Sequence, residues 1–247
     1  MTIRPMASLT FFAHLYKAIF RNYHHEMVAP LRMLLTQNSV IFDVGAHAGQ
    51  YSKMFVRLFP KSHIYAFEPA SYTYIILAIV HLLRGWKNVM LVKKGLGHRE
   101  AILTLSIPIK KSGSFGFGLS HLGHREAHKT YFSEDISITT CDAFVAEQNV
   151  KAVDFIKIDI EGSETDMLKG AEHTLSTYRP MLLIEMNDIA LQRCGSSYVE
   201  LWEFLAVRQY TPLLFNESNH AFEQTSTGVD SIDIFWIPAE KIDAIRH

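Results

Sequence analysis

The chain has 247 residues, of which 48% are hydrophobic and 20% are charged, and its formal net charge is −1. This composition supports a large core in one α/β domain and excludes an intrinsically disordered chain. The net charge shows no excess of basic residues for binding a nucleic-acid backbone, so we expect no nucleic-acid partner. The chain has only two cysteines, Cys141 and Cys194, which favours a reducing, cytoplasmic compartment.

Residues 1–37 predict a helical extension ahead of the main domain at 38–247. Apolar residues from Leu15 to Leu35 recur at helical spacing, with a break at Pro30. We expect two helices that cap the sheet or cover a cofactor, with a membrane-surface helix as the alternative. The segment lacks the cleavage pattern of a signal peptide, and the longest apolar run, Tyr72 to Leu83, is too short to span a bilayer.

The first predicted strand, Ser39 to Val44, carries Asp43 near its end and leads into a turn that contains Gly45 and Gly49. A helix from Gln50 follows, and ligands of open α/β sheets bind at such turns. Gly45 would let a ligand approach the backbone, and Gly49 would let the helix pack close to the strand. Free N–H groups at the helix start would favour an acceptor or an anion, and Asp43 could accept a hydrogen bond.

The second predicted strand, Ser62 to Phe67, ends at Glu68 and Pro69. Glu68 follows Gly45 by roughly 20 residues, the distance at which dinucleotide-binding folds place an acid for ribose hydroxyls. Two acids around one glycine turn would repel a pyrophosphate, and the turn lacks the G-x-G-x-x-G pattern. A cationic, phosphate-free nucleoside such as S-adenosylmethionine fits better.

Four motifs in order give the chain a family resemblance. They are Asp43 to Gly49, Phe67-Glu68-Pro69, Lys157 to Glu164 and Ile184-Glu185-Met186. Over about residues 38–237 the chain resembles the FkbM-type S-adenosylmethionine-dependent methyltransferases. The resemblance implies a Rossmann-like class I fold, with a seven-stranded, mostly parallel sheet, an antiparallel closing strand and helices on both faces.

The turn and the resemblance together give a predicted cofactor-binding set. Its members are Asp43, Gly45, Ala46, His47, Gly49, Glu68, Pro69, Gly95 and Asp159. His47 stands where many class I enzymes have a second glycine, and histidine is one of the better-tolerated residues if the position needs positive φ.

Asn88 to Val92 predicts a third strand, and Lys94 to Gly97 predicts a turn. The resemblance implies that this turn lies near the adenine of the cofactor, as in class I methyltransferases. Ala101 to Ile107 alternates as an additional antiparallel strand. In this family the segment that corresponds to residues 112–128 lies near the substrate, so we expect it to help form the acceptor site. Three histidines there could act as a base or bind metal, although solvated loop histidines are the commoner case: His121, His124 and His128.

Val153 to Ile160 predicts the central buried strand, in which Lys157 could pair with an acid and Asp159 would lie at the methyl-transfer site. Ser163 and Asp166 would cap a helix that runs to about Leu175. The next strand, Met181 to Ile184, leads to Glu185, which with Asp159 forms our catalytic pair of candidates. A Mg²⁺ ion held by Asp159, Glu185 and Asn187 is the less favoured reading.

The C-terminal part predicts a helix from Ser197 to Arg208, two hairpin strands and a long loop. The inward residues of the helix are predicted as Val199, Leu201, Trp202 and Leu205, the strands as Thr211 to Phe215 and Ile232 to Ile237, and the loop as 216–230.

The leading function is S-adenosylmethionine-dependent O-methylation of a hydroxyl on a small molecule or saccharide. The chain has no Asn/Asp-Pro-Pro-aromatic segment of the kind used by amino methyltransferases, which favours oxygen as the acceptor atom. Two alternatives stay open, a nucleotide-cofactor oxidoreductase and a non-catalytic cofactor-binding relative. The sequence leaves the oligomeric state open, a homodimer included.

Overall fold

The structure is a computed structural model that describes residues 9–108, 121–122, 131–226 and 232–245. The strands are β1 Val40–Val44, β2 His63–Phe67, β3 Val89–Val92, β4 Gly95–Leu96, β5 Ala101–Pro108, β6 His121–Leu122, β7 Tyr131–Thr139, β8 Phe155–Ile158, β9 Met181–Met186, β10 Tyr210–Asn216, β11 Ala221–Gln224 and β12 Ile232–Pro238. The helices are α1 Leu9–Phe20, α2 Val28–Leu34, α3 Gln50–Leu58, α4 Ser71–Arg84, α5 Cys141–Glu147, α6 Glu164–Lys169, α7 Glu172–Thr177, α8 Asp188–Arg193, α9 Tyr198–Ala206 and α10 Ile242–Ile245. Short 3₁₀ helices cover His25–Met27 and Ala239–Lys241.

The main sheet has eight strands in the order β11-β10-β12-β9-β8-β1-β2-β3. The five strands from β9 to β3 run parallel, and β12 is antiparallel to both β9 and β10. The expected α/β fold with an antiparallel closing strand is therefore confirmed. The parallel strands are buried on both faces, which explains why their sequences are almost continuously apolar.

The eighth strand corrects the expected count of seven. It is β11, which pairs antiparallel with β10 inside the segment predicted as a loop over 216–230. Asn216 and Asn219 accept hydrogen bonds from the backbone N–H groups of Ser218 and Ala221, so their side chains build the turn. The Phe222 ring then packs edge-on against Phe235 of β12, with 5.2 Å between the centroids.

Helices cover both faces of the sheet, as expected. One face packs α1 to α4 against strand residues such as Ile41 and Ile64. The other packs α5, α6, α7 and α9 against strand residues such as Phe42 and Ile156. Because side chains alternate along each strand, neighbouring residues of β1 enter the two separate cores.

A second, four-stranded sheet has the order β4-β7-β5-β6. Its antiparallel β5–β7 pair confirms the additional strand predicted at Ala101 to Ile107. The turn predicted over Lys94 to Gly97 is wrong, because Gly95–Leu96 pairs in parallel with Ile138 and Thr139 of β7. This small sheet packs Leu105, Ile107 and Ile136 against Ala70, which directly precedes α4.

The two predicted N-terminal helices are present, but the break between them is not at Pro30. Pro30 lies in the first turn of α2, where its missing N–H would have no helical partner. The interruption comes earlier, where His24 adopts the left-handed conformation with φ 57°. Phe11 and Leu31 bring α1 and α2 into the same core as α3 and α4.

Three further expectations were wrong. The helix predicted up to Leu175 is two helices, α6 and α7, separated at Gly170, over which the Gly97 backbone packs closely. Ser163 makes no capping hydrogen bond, and Asp166 instead bonds to His98. Val199 is 57% exposed, since only part of α9 faces the core.

Candidate active site

A cavity of about 280 Å³ lies beyond the carboxyl ends of β1, β2 and β8. Seven residues of the predicted cofactor set line it, namely Gly45, Ala46, His47, Glu68, Pro69, Gly95 and Asp159. The structure therefore brings most of the predicted set to one place. Their assignment as cofactor ligands stays a prediction.

The glycine turn after β1 requires a glycine at Gly45. Its φ is +77°, and a Cβ atom there would lie 1.9 Å from the carbonyl oxygen of Asp159. His47 also has a positive φ, of 50°, as the sequence anticipated. The turn is thus pressed against the start of the segment that follows β8, which places the first and central strand ends in contact.

The first three N–H groups of this turn donate to protein acceptors, while the expectation of an anion at the N–H groups of the helix start stays a prediction. The Gly45 and Ala46 amides both donate to the carbonyl oxygen of Phe67, at 3.1 and 2.9 Å. The His47 amide donates to Oε2 of Glu68 at 2.8 Å. The start of the turn is therefore tied to the end of β2.

Glu68 joins the two strand ends. Its Oε1 accepts a hydrogen bond from the Ala70 amide at 2.9 Å, while Oε2 holds His47. Burial raises the pKa of this carboxyl to about 7, even though these hydrogen bonds favour the ionised form. The Thr73 side chain also hydrogen bonds to this carboxylate, so three of its roughly four acceptor positions are used and one remains for a ligand hydroxyl.

Lys157 is a buried cation at the floor of the cavity, and the predicted pairing with an acid is present. Its Nζ donates to the Gly45 carbonyl at 3.0 Å and lies 3.4 Å from Asp159 Oδ2 and 3.6 Å from Asp43 Oδ1. Burial disfavours the charge, but the two carboxylates outweigh it, so the pKa of Lys157 is raised. Sequence reasoning missed Lys157 as a cavity residue, although a lysine inside an apolar strand was the signal.

Two members of the predicted cofactor set do not line the cavity. Asp43 is fully buried and accepts a hydrogen bond from Ser52 Oγ at 2.6 Å. Gly49, with φ +85°, packs against Leu77 on the core side. Asp43 therefore contacts Lys157 rather than the cavity, and Gly49 lets α3 approach the core.

Asp159 and Glu185 form a hydrogen-bonded carboxyl pair, in which Asp159 lines the cavity and Glu185 lies behind it. Burial and the neighbouring Asp159 charge raise the pKa of Glu185 to about 8. Burial raises the pKa of Asp159, whereas the positive charge of Lys157 and the hydrogen bonds from Glu185 and Lys157 lower it. The lowering effects together are the larger, so the pKa of Asp159 is lowered. The raised pKa of Glu185 and the lowered pKa of Asp159 favour a neutral Glu185 that donates a hydrogen bond to an ionised Asp159.

Glu161 is a cavity residue that the sequence placed only in a polar cluster. It adopts φ 57°, and burial together with Asp159 and Glu164 raises its pKa to about 7.

Across the part of the chain that the structure describes, no three His, Cys, Asp or Glu side chains converge as a metal site. The Asn187 oxygen caps α8 by accepting from the Ala190 amide at 3.1 Å, and the Mg²⁺ arrangement considered above stays a hypothesis.

Part of the cavity wall is built by the N-terminal segment. His24 stacks on Tyr51 with 4.4 Å between the ring centroids, and both line the cavity. The Tyr51 hydroxyl donates to Asp233 at 3.3 Å, and Lys157 Nζ lies 5.1 Å from the centre of the Tyr51 ring. His47 lines the cavity, and its burial lowers its pKa to about 4. His24 was missed because its only sequence signal, a His-His pair, suggests no particular site.

The remaining wall is apolar and comes from the small sheet. Leu105, Ile136 and Ile138 line the cavity there, together with Leu96. The segment predicted to form the acceptor site, 112–128, lies outside the described residues except for the backbone of 121–122, and so do the side chains of His121, His124 and His128.

Comparison with known proteins adds to this geometry. Residues 43–212 match the Methyltransferase FkbM domain family. The chain is 24% identical over 181 residues to "Methyltransferase sdnD" of Sordaria araneosa, and the match covers 64% of this chain and 68% of that protein. It is 22% identical to "2-O-methyltransferase NoeI" of Sinorhizobium fredii (63% and 65% covered) and 25% identical to "31-O-demethyl-FK506 methyltransferase FkbM" of Streptomyces tacrolimicus (63% and 68%).

Solved structures with the same fold include a methyltransferase FkbM from Methylobacillus flagellatus. Its TM-score is 0.54 at 18% identity, with 82% of this chain and 44% of that chain covered. A putative O-methyltransferase from Klebsiella pneumoniae gives a TM-score of 0.51 at 12% identity, with 93% and 89% covered. This chain therefore spans about two thirds of the length of the curated relatives and under half of the Methylobacillus chain.

Proposed function

This chain belongs to the FkbM methyltransferase family, and we propose that it is an S-adenosylmethionine-dependent O-methyltransferase acting on a hydroxyl of a small molecule or saccharide. One observation carries the proposal. Glu68, the Gly45 turn and the Lys157–Asp159 pair meet at one cavity at the strand ends. Ligands of open α/β sheets bind in that position.

The cavity suits a cationic nucleoside better than a phosphate. Glu68, Asp159 and Glu161 line it, whereas Lys157, the buried cation, is already held by Asp43, Asp159 and the Gly45 carbonyl. Glu68 would accept from a ribose hydroxyl, and the apolar wall at Leu96 and Ile138 would flank the adenine. Bound there, S-adenosylmethionine supplies a methyl group activated by the positive sulfonium.

The acceptor hydroxyl must be positioned and must lose a proton. Asp159, which lines the cavity and which Lys157 favours in its ionised form, is the residue that would take this proton. Because its lowered pKa makes it a weak base, it would take the proton only as the bond between the hydroxyl oxygen and the methyl group forms. Glu185 donates a hydrogen bond to Asp159 and so fixes the direction of its free lone pairs. Enclosing walls orient the reactants and exclude water, which supplies much of the rate in a transfer of this kind.

Oxygen as the acceptor atom is supported by two relatives. The Sinorhizobium and Streptomyces proteins carry names that specify 2-O and 31-O positions. The identity of the acceptor is part of what the experiment below must find.

The two cysteines, Cys141 and Cys194, are both free, which supports a cytoplasmic location.

The oxidoreductase alternative is disfavoured by the turn itself. Dinucleotide-binding turns offer backbone N–H groups to a pyrophosphate. Here the amides of Gly45, Ala46 and His47 are committed to Phe67 and Glu68. A non-catalytic relative would keep the cavity but not turn over, so only an activity measurement separates it from the enzyme.

The test is transfer of a labelled methyl group from S-adenosylmethionine to a panel of hydroxylated metabolites and saccharides, with products identified by mass spectrometry. We expect a labelled product with the native chain and loss of turnover in Asp159→Asn, with cofactor binding partly kept. Asp243→Asn, at an exposed position on α10, is the matched control and should stay active. A fully active Asp159→Asn enzyme would contradict the role given to Asp159.

A further inference from the structure

The helix α1 presents a row of large apolar side chains to solvent. Leu9 is 91% exposed, Phe12 61%, Tyr16 60% and Phe20 64%. Their spacing of three or four residues puts them on one face of the helix. We call this row the outer face of α1.

The opposite face of α1 is already buried in the protein. Phe11 and Ala18 belong to the main core, and the Phe11 ring meets Tyr72 edge-on at 5.8 Å. The outer face is therefore not the core-facing side of an ordinary amphipathic helix. A helix that is apolar all round normally has both sides covered, yet here one side is exposed.

The neighbouring end of α4 enlarges the exposed apolar surface. Arg84 donates a hydrogen bond to the Ile19 carbonyl, which joins the C-terminal ends of α1 and α4. The residues just before Arg84 are Leu82, 77% exposed, and Leu83, 64% exposed. Large apolar side chains exposed along one helix face and beside its end mark an interaction site.

Three basic residues of the described chain lie on α1 or beside it. Lys17 is exposed on α1, Arg21 follows the helix directly, and Arg84 lies beside its end. In the sequence, no Asp or Glu precedes Glu26, while Arg4, Lys17 and Arg21 do. A second copy of this chain placed on the same face by two-fold symmetry would bring these like charges together, which disfavours self-association.

We propose that the outer face of α1 docks on an anionic phospholipid surface. The helix would lie in the plane of the headgroups, with its leucine and aromatic side chains at the acyl boundary and its basic side chains on the lipid phosphates. Its 12 residues are too few to cross a bilayer. None of the helices in the described part of the chain has the length and apolarity of a membrane span.

This docking is independent of methyl transfer. None of the residues of α1 lines the cavity, although His24, shortly after its end, does. The proposal concerns only the binding of the protein to the surface and requires nothing about the acceptor.

The test is cosedimentation of the full chain with phosphatidylcholine vesicles, with and without phosphatidylglycerol. We expect binding that requires the anionic lipid and weakens with salt. Leu9→Ser with Phe20→Ser should weaken it at least tenfold, because the two side chains lose most of their contact with the acyl boundary. Lys17→Gln with Arg21→Gln should weaken it by about 30-fold, which corresponds to about 1 kcal/mol for each basic residue.

The matched control is Ile102→Ser with Val207→Ser, two apolar residues that are 75% and 76% exposed elsewhere on the molecule. It should bind vesicles like the native chain, and all variants should keep their circular dichroism and their affinity for S-adenosylmethionine. No binding to anionic vesicles, equal binding to neutral ones, or an equal loss in the control pair would overturn the proposal. So would a dimer, seen by light scattering, that the Leu9 and Phe20 substitutions abolish.

Discussion

At the scale of single residues, Gly45 is the position where the backbone leaves least freedom. Gly45→Ala would combine a left-handed φ with a Cβ atom 1.9 Å from the Asp159 carbonyl oxygen. We expect a loss of about 3 kcal/mol or more in the free energy of unfolding, from backbone strain and overpacking together. Urea unfolding measures it.

The control for this substitution is Gly195→Ala. Gly195 has a similar φ of +81°, but no heavy atom of the described residues lies within 4 Å of its Cβ position. It should lose only the strain of about 1–2 kcal/mol. Equal losses at the two glycines would show that the contact between Gly45 and Asp159 carries no energetic weight.

Glu68 is the residue on which cofactor affinity should depend most. Glu68→Ala removes the acceptor proposed for the ribose and frees the His47 amide. We expect S-adenosylmethionine to bind about 10- to 100-fold more weakly, the equivalent of one or two hydrogen bonds to a charged group. Isothermal titration calorimetry gives the affinity.

Glu134→Ala is the matched variant, since Glu134 is also a buried acid and also accepts from a backbone amide, that of Ser71 at 3.0 Å. Glu134 is absent from the cavity lining, so the affinity should hardly change. If both variants lose affinity alike, the effect is structural and Glu68 is not a ligand.

The cavity residues that the sequence identified, such as Gly45 and Glu68, lie both within a motif and at the end of a strand. Asp43 was placed at the cavity because it stands in the same motif, but alternation along β1 turns it into the protein, where Ser52 and Lys157 hold it. Glu161 and His24 line the cavity because each has a left-handed backbone conformation, with φ 57°. Their local sequences do not predict this conformation.

At the scale of elements, one ion pair joins the two central strands. Lys157 of β8 stands directly opposite Asp43 of β1 in the parallel register. Lys157→Met would leave the buried Asp43 carboxylate without its cation, and we expect a loss of about 3–5 kcal/mol in the free energy of unfolding. Adding Asp43→Asn should recover part of that loss, as the isolated charge is then absent.

Lys169→Met is the comparison for an exposed pair, that of Lys169 with Glu200 at 2.8 Å. Because both side chains are solvated, it should cost less than about 1 kcal/mol. A similar cost for the two lysines, or no recovery in the double variant, would argue against Lys157 as the link between β1 and β8.

The elements that sequence patterning predicted well are those with a clear period, such as α9 and the parallel strands. The small elements were harder because partners distant in sequence define them. Gly95–Leu96 is a strand only because β7 pairs with it, and α6 ends at Gly170 where the Gly97 backbone packs. In α1 the apolar period was evident, but the sequence could not distinguish the buried face from the exposed one.

At the scale of the whole molecule, stability should fall as the pH rises through the neutral range. The pKa of Glu68 and of Glu161 is raised to about 7 and that of Glu185 to about 8, so the folded chain keeps protons that the unfolded chain has lost. Stability falls with pH wherever the folded state binds more protons. His47, whose pKa is lowered to about 4 from 6.5, opposes this only below about pH 6.5.

We therefore expect the free energy of unfolding to decline between about pH 6.5 and about pH 8, and to decline less steeply in Glu185→Gln, which cannot ionise. Denaturant titrations at several pH values measure both slopes. A native slope of zero or of the opposite sign, or an unchanged slope in the variant, would refute the assignment of the proton to Glu185.

The central claim is that the strand-end cavity holds S-adenosylmethionine, and calorimetric titration of the full chain with S-adenosylmethionine and, in parallel, with NAD tests it most directly. The account predicts saturable binding of S-adenosylmethionine, weakened by Glu68→Ala, and no saturable binding of NAD. Tight binding of NAD with none of S-adenosylmethionine would contradict it.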